Sequence, residues 1–245
     1  LLFAHSVSHN AQKSKNNIDI YENTKISEIK NIILEEGVTT IEAGTFYCAS
    51  MESITLPATL KEIGAEAFSN TNNLKSIVIP DSVETLGASA FWASGIESAT
   101  VGSGIKTLYR TFEQCHSLKK VVLSEGLEEI DYYAFGSCSN IENINFPTTL
   151  KIIGEFAFCN WGFGKDNLNE LIIPEGVTTI GNNAFMGIGF KKIVLPSTVT
   201  SLGEFIISGN SNVEEINVPS GITNIPDKCF YYARKLKKIT FDGDI

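Results

Sequence analysis

The amino-acid sequence predicts a repeat solenoid: a right-handed superhelix of short parallel strands, with one strand in each repeat of about 23 residues. Three observations carry this prediction. A frame of apolar residues returns ten times, an aromatic residue recurs at a nearly constant interval, and prolines directly follow the frame. Because one such repeat cannot bury its apolar face alone, the repeats must stack on a shared core.

The apolar frame reads L-x-x-I-x-L and is clearest from Leu74 to Pro80. Its last two apolar positions alternate, which favours a short strand with one buried face. Proline lacks the N–H that a strand ladder needs, so the strand should end there. The ten copies begin at Ile29, Met51, Leu74, Ile96, Leu118, Ile141, Leu168, Phe190, Val213 and Leu236.

The second half of each repeat reads V-x-x-I-G-x-x-A-F, most completely from Val177 to Phe185. We interpret V-x-x-I as a return of the chain across the core and the glycine as a tight bend. The A-F end should be a short helical or irregular corner whose Phe fills the interior. The anchors Phe46, Phe68, Phe91, Phe112, Phe135, Phe158, Phe185, Ile207 and Phe230 are separated by 22, 23, 21, 23, 23, 27, 22 and 23 residues.

This period and frame are typical of a leucine-rich-repeat solenoid, which we place at residues 26–245. Residues 1–25 are expected to form an N-terminal tail or cap. Their apolar start is compatible with the remnant of a signal peptide or with a loose terminus.

Composition and charge exclude two classes of partner. The formal net charge is −9 and the lysines form no basic stripe, which argues against nucleic acid. The sequence has no run of 18 apolar residues, so we expect no membrane span in this segment.

The segment from Ala134 to Pro147 reads A-F-x-x-C-x-x-I-x-x-I-x-F-P and resembles the BspA-like leucine-rich repeats of bacterial surface proteins. The resemblance covers roughly residues 26–245. It implies a curved solenoid, an extracellular or cell-surface location, and adhesion to host matrix proteins or other cells. The motif residues form the scaffold of that family, so the resemblance assigns no binding residue.

Candidate chemistry is sparse. The five cysteines include no CxxC pair, and Cys115 and Cys138 share the slot three residues after the anchor. We expect structural thiols, with one disulfide between stacked turns as the alternative. Cys115 and His116 are neighbours, but a nucleophile–base pair needs geometry that adjacency does not supply. We therefore predict no catalytic residue, no metal site, no cofactor and no enzyme activity.

The residue after the first position of each frame alternates in charge. The series is Lys30, Glu52, Lys75, Glu97, Lys119, Glu142, Asn169, Lys191, Glu214 and Lys237. Equivalent positions in stacked strands lie about 4.8 Å apart, where opposite charges attract. We interpret the series as a structural ladder that fixes register.

One repeat carries an insertion at 159–167, and insertions in solenoids often form loops on a binding edge. Its Trp161, Phe163 and Lys165 are candidate partner-binding residues, with the alternative that both aromatic side chains fold back over the core. Outward positions of later strands, on the predicted concave face, add Lys192, Glu215 and Asn217 as candidates.

These features predict a non-catalytic protein-interaction or adhesion module that binds a host or neighbouring-cell protein. The alternative is a structural spacer or stalk with no dedicated ligand.

Overall fold

A computed structural model describes residues 30–162, 165, 168–209 and 212–243, together with two strands that precede them. The chain forms a parallel-strand solenoid of about nine turns, and the described residues include no helix. The predicted fold class is therefore confirmed, with turns rather than helices at the corners.

Each turn contributes short strands to two rows that run along the molecule. In chain order the strands are β1 (Leu2–Ala4), β2 (Asn17–Ile18), β3 (Asn31–Leu34), β4 (Thr40–Ile41), β5 (Ser53–Thr55), β6 (Glu62–Ile63), β7 (Ser76–Val78), β8 (Thr85–Leu86), β9 (Ser98–Val101) and β10 (Thr107–Leu108). They continue as β11 (Lys120–Leu123), β12 (Glu129–Ile130), β13 (Asn143–Ile144), β14 (Ile152–Ile153), β15 (Glu170–Ile172), β16 (Thr179–Ile180), β17 (Lys192–Val194), β18 (Ser201–Leu202), β19 (Glu215–Val218) and β20 (Lys238–Phe241).

The odd-numbered strands and β20 form what we call the first row, and the remaining strands form the second row. All ten predicted frames form strands of the first row. The second row arises from the V-x-x-I segments, which we had interpreted only as a return of the chain. Two-residue strands of this kind lack the alternation that would reveal them in the sequence.

Every strand pair is parallel, but neither row is one unbroken sheet. The first row divides into β1-β3-β5, β7-β9-β11-β13 and β15-β17-β19-β20. The second row divides into β2-β4-β6-β8 and β10-β12-β14-β16-β18. β1 pairs with β3 and β2 with β4, so part of the predicted N-terminal tail or cap extends both rows.

Between the two rows lies a single core, whose spine is the stack of anchor phenylalanines. From Phe46 to Phe158 successive ring centroids are 5.1–5.4 Å apart. These anchors are fully or almost fully buried. The 21- to 23-residue spacing of phenylalanines from Phe46 to Phe158 therefore becomes a continuous offset stack.

Most corners place a left-handed residue two positions before and two positions after the anchor. Around Phe68 these are Glu66, with φ of 55°, and Asn70, with φ of 58°. The reversal of direction at each corner therefore depends on backbone conformations that side-chain-bearing residues adopt at a cost.

At Gly87, the glycine of the V-x-x-I-G motif allows close packing against the preceding turn, whereas we expected it to allow a tight bend. A Cβ at Gly87 would lie 2.2 Å from the backbone nitrogen of Ala65 in the preceding turn. At Gly87 the adjacent turns therefore approach too closely for a larger residue.

Candidate functional site

The corner slot three residues after the anchor explains where Trp161 lies. Four successive turns fill this slot with Thr71, Ser94, Cys115 and Cys138, all of them buried. Trp161 stands three residues after Phe158, in the same slot, and only 3% of its surface is exposed. The hypothesis of an exposed Trp161 anchor is thus corrected in favour of the alternative, an indole that folds into the core.

Trp161 is held by one hydrogen bond and two aromatic contacts. Its indole Nε1 donates to the backbone oxygen of Ile141 at 3.0 Å. Its ring centroid lies 5.2 Å from that of Phe158 and 4.9 Å from that of Phe190, the latter edge to face. The indole thus bridges the turns before and after the insertion.

At this level the first row is interrupted. Among the described residues β13 pairs only with β11, and β15 only with β17. The anchor stack widens at the same level, with 6.3 Å between the centroids of Phe158 and Phe185. The second row continues, because β14 pairs with β16.

The interruption leaves a cleft of about 680 Å³ that opens on the outer face of the first row. Ile144 and Phe146, whose counterparts in most turns are buried, are half-buried here. The cleft is lined by Lys120, Val121, Val122, Glu142, Asn143, Ile144, Asn145, Phe146, Trp161, Glu170, Leu171, Ile172 and Phe190. It therefore has an apolar floor and a polar rim.

Of the two other candidate residues of the insertion, the structure describes Lys165 alone. Phe163 lies outside the described residues. Lys165 is partly buried, its backbone N–H donates to the oxygen of Gly162, and its backbone oxygen accepts a hydrogen bond from the side chain of Asn212. This contact attaches the loop to a corner two turns further on.

Lys192, Glu215 and Asn217, proposed as candidate partner-binding residues, lie near one another on the outer face of the first row. They line a shallow depression of about 290 Å³ with residues that include Lys238 and Asp242. The Lys192 ammonium lies 2.6 Å from a carboxylate oxygen of Glu170. This hydrogen bond and the charge of Glu170 raise the pKa of Lys192.

The amide of Asn217 is already engaged within the scaffold. Its oxygen accepts from the backbone N–H of Leu195 at 2.7 Å, and its nitrogen donates to the oxygen of Leu195 and to Asp242. Asn145 makes the same pair of contacts with Leu123. Asn217 therefore holds adjacent turns together as well as lining the depression.

The predicted charge ladder is confirmed for most of its rungs. Glu97 lies between Lys119, at 3.1 Å, and Lys75, at 3.8 Å. The hydrogen bond and charge of Lys119 lower the pKa of Glu97, with a smaller effect from Lys75. Further ladder ion pairs join Lys30 to Glu52 and Lys237 to Glu214.

Sequence reasoning missed a second ladder, which runs beside the second row. Lys61 pairs with Glu84 at 3.0 Å, and Lys151 with Glu128 at 2.7 Å. The signal was available, because the residue after the first position of V-x-x-I alternates in charge from Lys61 to Lys151. Both ladders place opposite charges next to each other on adjacent turns.

The cysteines are free thiols, and four of the five are buried. Burial raises the pKa of Cys115 to about 12 and that of Cys159 to about 11. The Cys115 thiol donates to the backbone oxygen of Phe91 at 3.0 Å. The Nδ1 of His116 forms a hydrogen bond with the backbone oxygen of Ser137 at 3.0 Å, and not with the Cys115 thiol. Over the described residues there is no cluster of three or more metal-ligating side chains.

The repeats themselves decide the family. The family model described as "BspA type Leucine rich repeat region" matches residues 5–111, 108–163 and 162–245, in six copies. The chain belongs to the BspA-type leucine-rich-repeat family. Repeats of this type are typically non-catalytic and serve protein interaction.

Solved structures of leucine-rich-repeat proteins share the fold of this BspA-type chain. One, from Bacteroides ovatus, is 24% identical with a TM-score of 0.66, and the match covers 92% of this chain and 64% of that one. Another, from Eubacterium ventriosum, is 20% identical with a TM-score of 0.52, over 86% of this chain and 66% of that one. The chain thus spans about two thirds of the length of these structures. No curated protein matches the sequence.

The BspA-type chain also has no helix, among its described residues, of the length and apolarity that a bilayer crossing requires.

Proposed function

We propose that this chain is a non-catalytic protein-interaction module that recognises a protein partner with the outer face of its first row. One observation carries the proposal: the cleft beside Trp161 and the depression around Glu215 open on that same face. The exposed apolar side chain of Ile172 lines the cleft on this face. An apolar patch with a polar rim is typical of protein-binding surfaces.

The partner that we propose is a protein of a host matrix or of a neighbouring cell, which the chain meets outside its own cell. The support is the resemblance of the repeats to those of bacterial surface proteins. The state of the four buried thiols supports a non-catalytic role, because burial raises their pKa values, keeps them protonated and so makes them poor nucleophiles.

The alternative role, a spacer with no ligand, is favoured by one observation. Ladder ion pairs and the anchor stack link many turns to the next along the molecule. These contacts stiffen a rod and need no partner. A binding experiment separates the two roles.

The experiment measures adhesion of the purified chain to immobilised host matrix proteins and to intact cells. We expect saturable binding that Lys192→Glu weakens. Lys151→Glu is the matched control, since Lys151 is also an exposed, ion-paired lysine but lies beside the second row. Equal effects of the two variants would contradict recognition by the first row, and an absence of binding to every surface would favour the spacer.

The loop contribution is best tested with Phe163→Ala and Lys165→Ala. Trp161→Ala would remove a buried side chain and so confound lost binding with lost stability. Unchanged adhesion of both variants would exclude the loop from the interface.

A further inference from the structure

The cleft in the first row exposes main-chain groups that are paired in most other turns. The residue after the first position of a frame usually offers its backbone oxygen to two N–H groups of the next turn. The oxygen of Lys119 accepts from Glu142 and Asn143, and the oxygen of Glu214 accepts from Lys237 and Lys238.

These contacts are missing across the cleft. The backbone oxygen of Glu142 accepts no hydrogen bond from Asn169 or Glu170, whose N–H groups take the equivalent place in the next turn. The acceptor of Glu142 therefore lies on one side of the break and the N–H groups of Asn169 and Glu170 lie on the other, with Glu142 and Glu170 lining the cleft. An apolar floor lies between them.

Trp161 gives a physical reason why this cleft stays open. Its indole is far larger than the side chains of the same corner slot in the preceding turns. The first row is also interrupted between β5 and β7, but there the slot holds Ala49 and the rings of Phe46 and Phe68 remain 5.2 Å apart. At the cleft the corresponding spacing is 6.3 Å. The opening is therefore built into the core and does not require an occupant to form it.

The charge on the rim is asymmetric. Among the described residues Glu142 makes no ion pair, because its ladder partner Lys119 lies against Glu97 and the next slot holds Asn169. Glu170, by contrast, is paired with Lys192. The unpaired charge next to the unpaired oxygen is thus the carboxylate of Glu142. Lys120, on the neighbouring strand β11, also lines the cleft and makes no ion pair among the described residues.

Building on the proposed function, we propose that the cleft binds a short extended peptide segment of the protein partner by strand addition. A peptide N–H donates to the backbone oxygen of Glu142, and a peptide oxygen accepts from Asn169 and Glu170. Alternate side chains of the segment enter the floor beside Ile144 and Trp161. A lysine or arginine of the segment meets the carboxylate of Glu142.

The test begins with a displayed library of seven-residue peptides, selected on the wild-type chain and counter-selected on Ile172→Asp. Ile172 lines the cleft and is 60% exposed, so the substitution places a charge at the rim without disturbing the core. Val78→Asp is the matched control, because Val78 holds the same outward position in β7 and is 63% exposed. Failure to enrich any peptide on the wild type over Ile172→Asp would overturn the proposal.

The enriched peptide is then synthesised and measured by hydrogen exchange and by titration. We expect slower exchange at the amides of Asn169 and Glu170, and loss of binding when the pairing amides of the peptide are N-methylated. Glu142→Lys should weaken binding about tenfold or more, whereas Glu62→Lys, the same charge change on the second row, should leave it unchanged. An N-methylated peptide that binds equally well would show that no strand is added.

Further outcomes separate this inference from the proposed function. If the chain adheres to matrix proteins but Ile172→Asp and Glu142→Lys adhere equally, the peptide cleft is wrong and the interaction module stands. If the peptide binds in the cleft while no matrix protein or cell is bound, the cleft stands and the adhesive role is wrong. A wild-type dimer that Ile172→Asp dissociates would make a second copy of the chain the occupant and would overturn the peptide proposal.

Discussion

At the scale of single residues, the packing of adjacent turns depends on the size of the side chain at a few positions. Gly87 lies against the backbone of the preceding turn, whereas Trp161 fills a corner slot that smaller residues occupy elsewhere. The sequence showed the register of both positions. It did not show the structural role of either residue, because that role depends on how closely two turns pack whose residues are 22 to 27 positions apart in the sequence.

Replacement of Gly87 by alanine should destabilise the chain by about 2–3 kcal/mol, since the new Cβ overpacks against the backbone of Ala65. Thermal and urea unfolding measure the effect. Gly44→Ala is the control: a Cβ at Gly44 has open space and meets only the left-handed backbone, with φ of 66°. That control should cost about 1 kcal/mol. Equal losses for both variants would contradict the close-approach explanation.

Alkylation should distinguish the cysteines. At pH 8 to 9, iodoacetamide should label the exposed Cys48 in the native chain. Cys115 and Cys159 should react only after unfolding, because burial raises their pKa values to about 12 and 11 and blocks access. Peptide mass mapping identifies the labelled residues. Native labelling of Cys115 at the rate of Cys48 would contradict its burial.

At the scale of elements, the frames and anchors were predictable because a packed side chain recurs in each of them. The ten frames became strands and the phenylalanines became a stack, as the apolar alternation and the constant spacing require. The second row was not predicted, since each of its strands has only two residues and is too short to show an alternation of apolar and polar residues. The break between β13 and β15 was also not predicted, because the apolar frames on its two sides match those of strands that do pair.

The charge ladder supplies a prediction at this scale. Glu97→Lys should lower the melting temperature by about 1–2 °C, because it places a third lysine between Lys75 and Lys119. Glu62→Lys is the control, with the same change in net charge but no ion pair among the described residues. Differential scanning calorimetry at low salt measures both. The difference should shrink in concentrated salt, which screens exposed charges, and a melting temperature unchanged at low salt would show that the ladder does not contribute.

At the scale of the whole molecule, each turn contacts mainly its neighbours, and stability is distributed along the array. Ion pairs and hydrogen bonds between turns lower the pKa values of several carboxylates, with partners that include Lys119 for Glu97, Lys151 for Glu128 and Thr148 for Glu125. These carboxylates are exposed, so each contribution is small. Their sum acts on the array as a whole.

Acid should therefore destabilise the entire solenoid. A carboxylate with a lowered folded pKa contributes stability that is present above its unfolded value, near 4.5, and is lost as the pH falls through the folded value. We expect the melting temperature to decline once the pH falls below about 4.5. Circular dichroism melts from pH 7 to 3 test this expectation. A chain with Glu97, Glu125 and Glu128 changed to Gln should decline less, and an identical decline would assign the effect to other groups.

The break in the first row also has a mechanical consequence. Beside the cleft, the load between neighbouring turns passes through the pairing of β14 with β16, the Phe158–Phe185 stack and the indole of Trp161. Most other neighbouring turns share this load with paired strands of the first row. At this level, therefore, the strand pairing that carries tension lies on the side of the second row alone. We therefore expect a pulling force to bend the solenoid at this level and to widen the cleft.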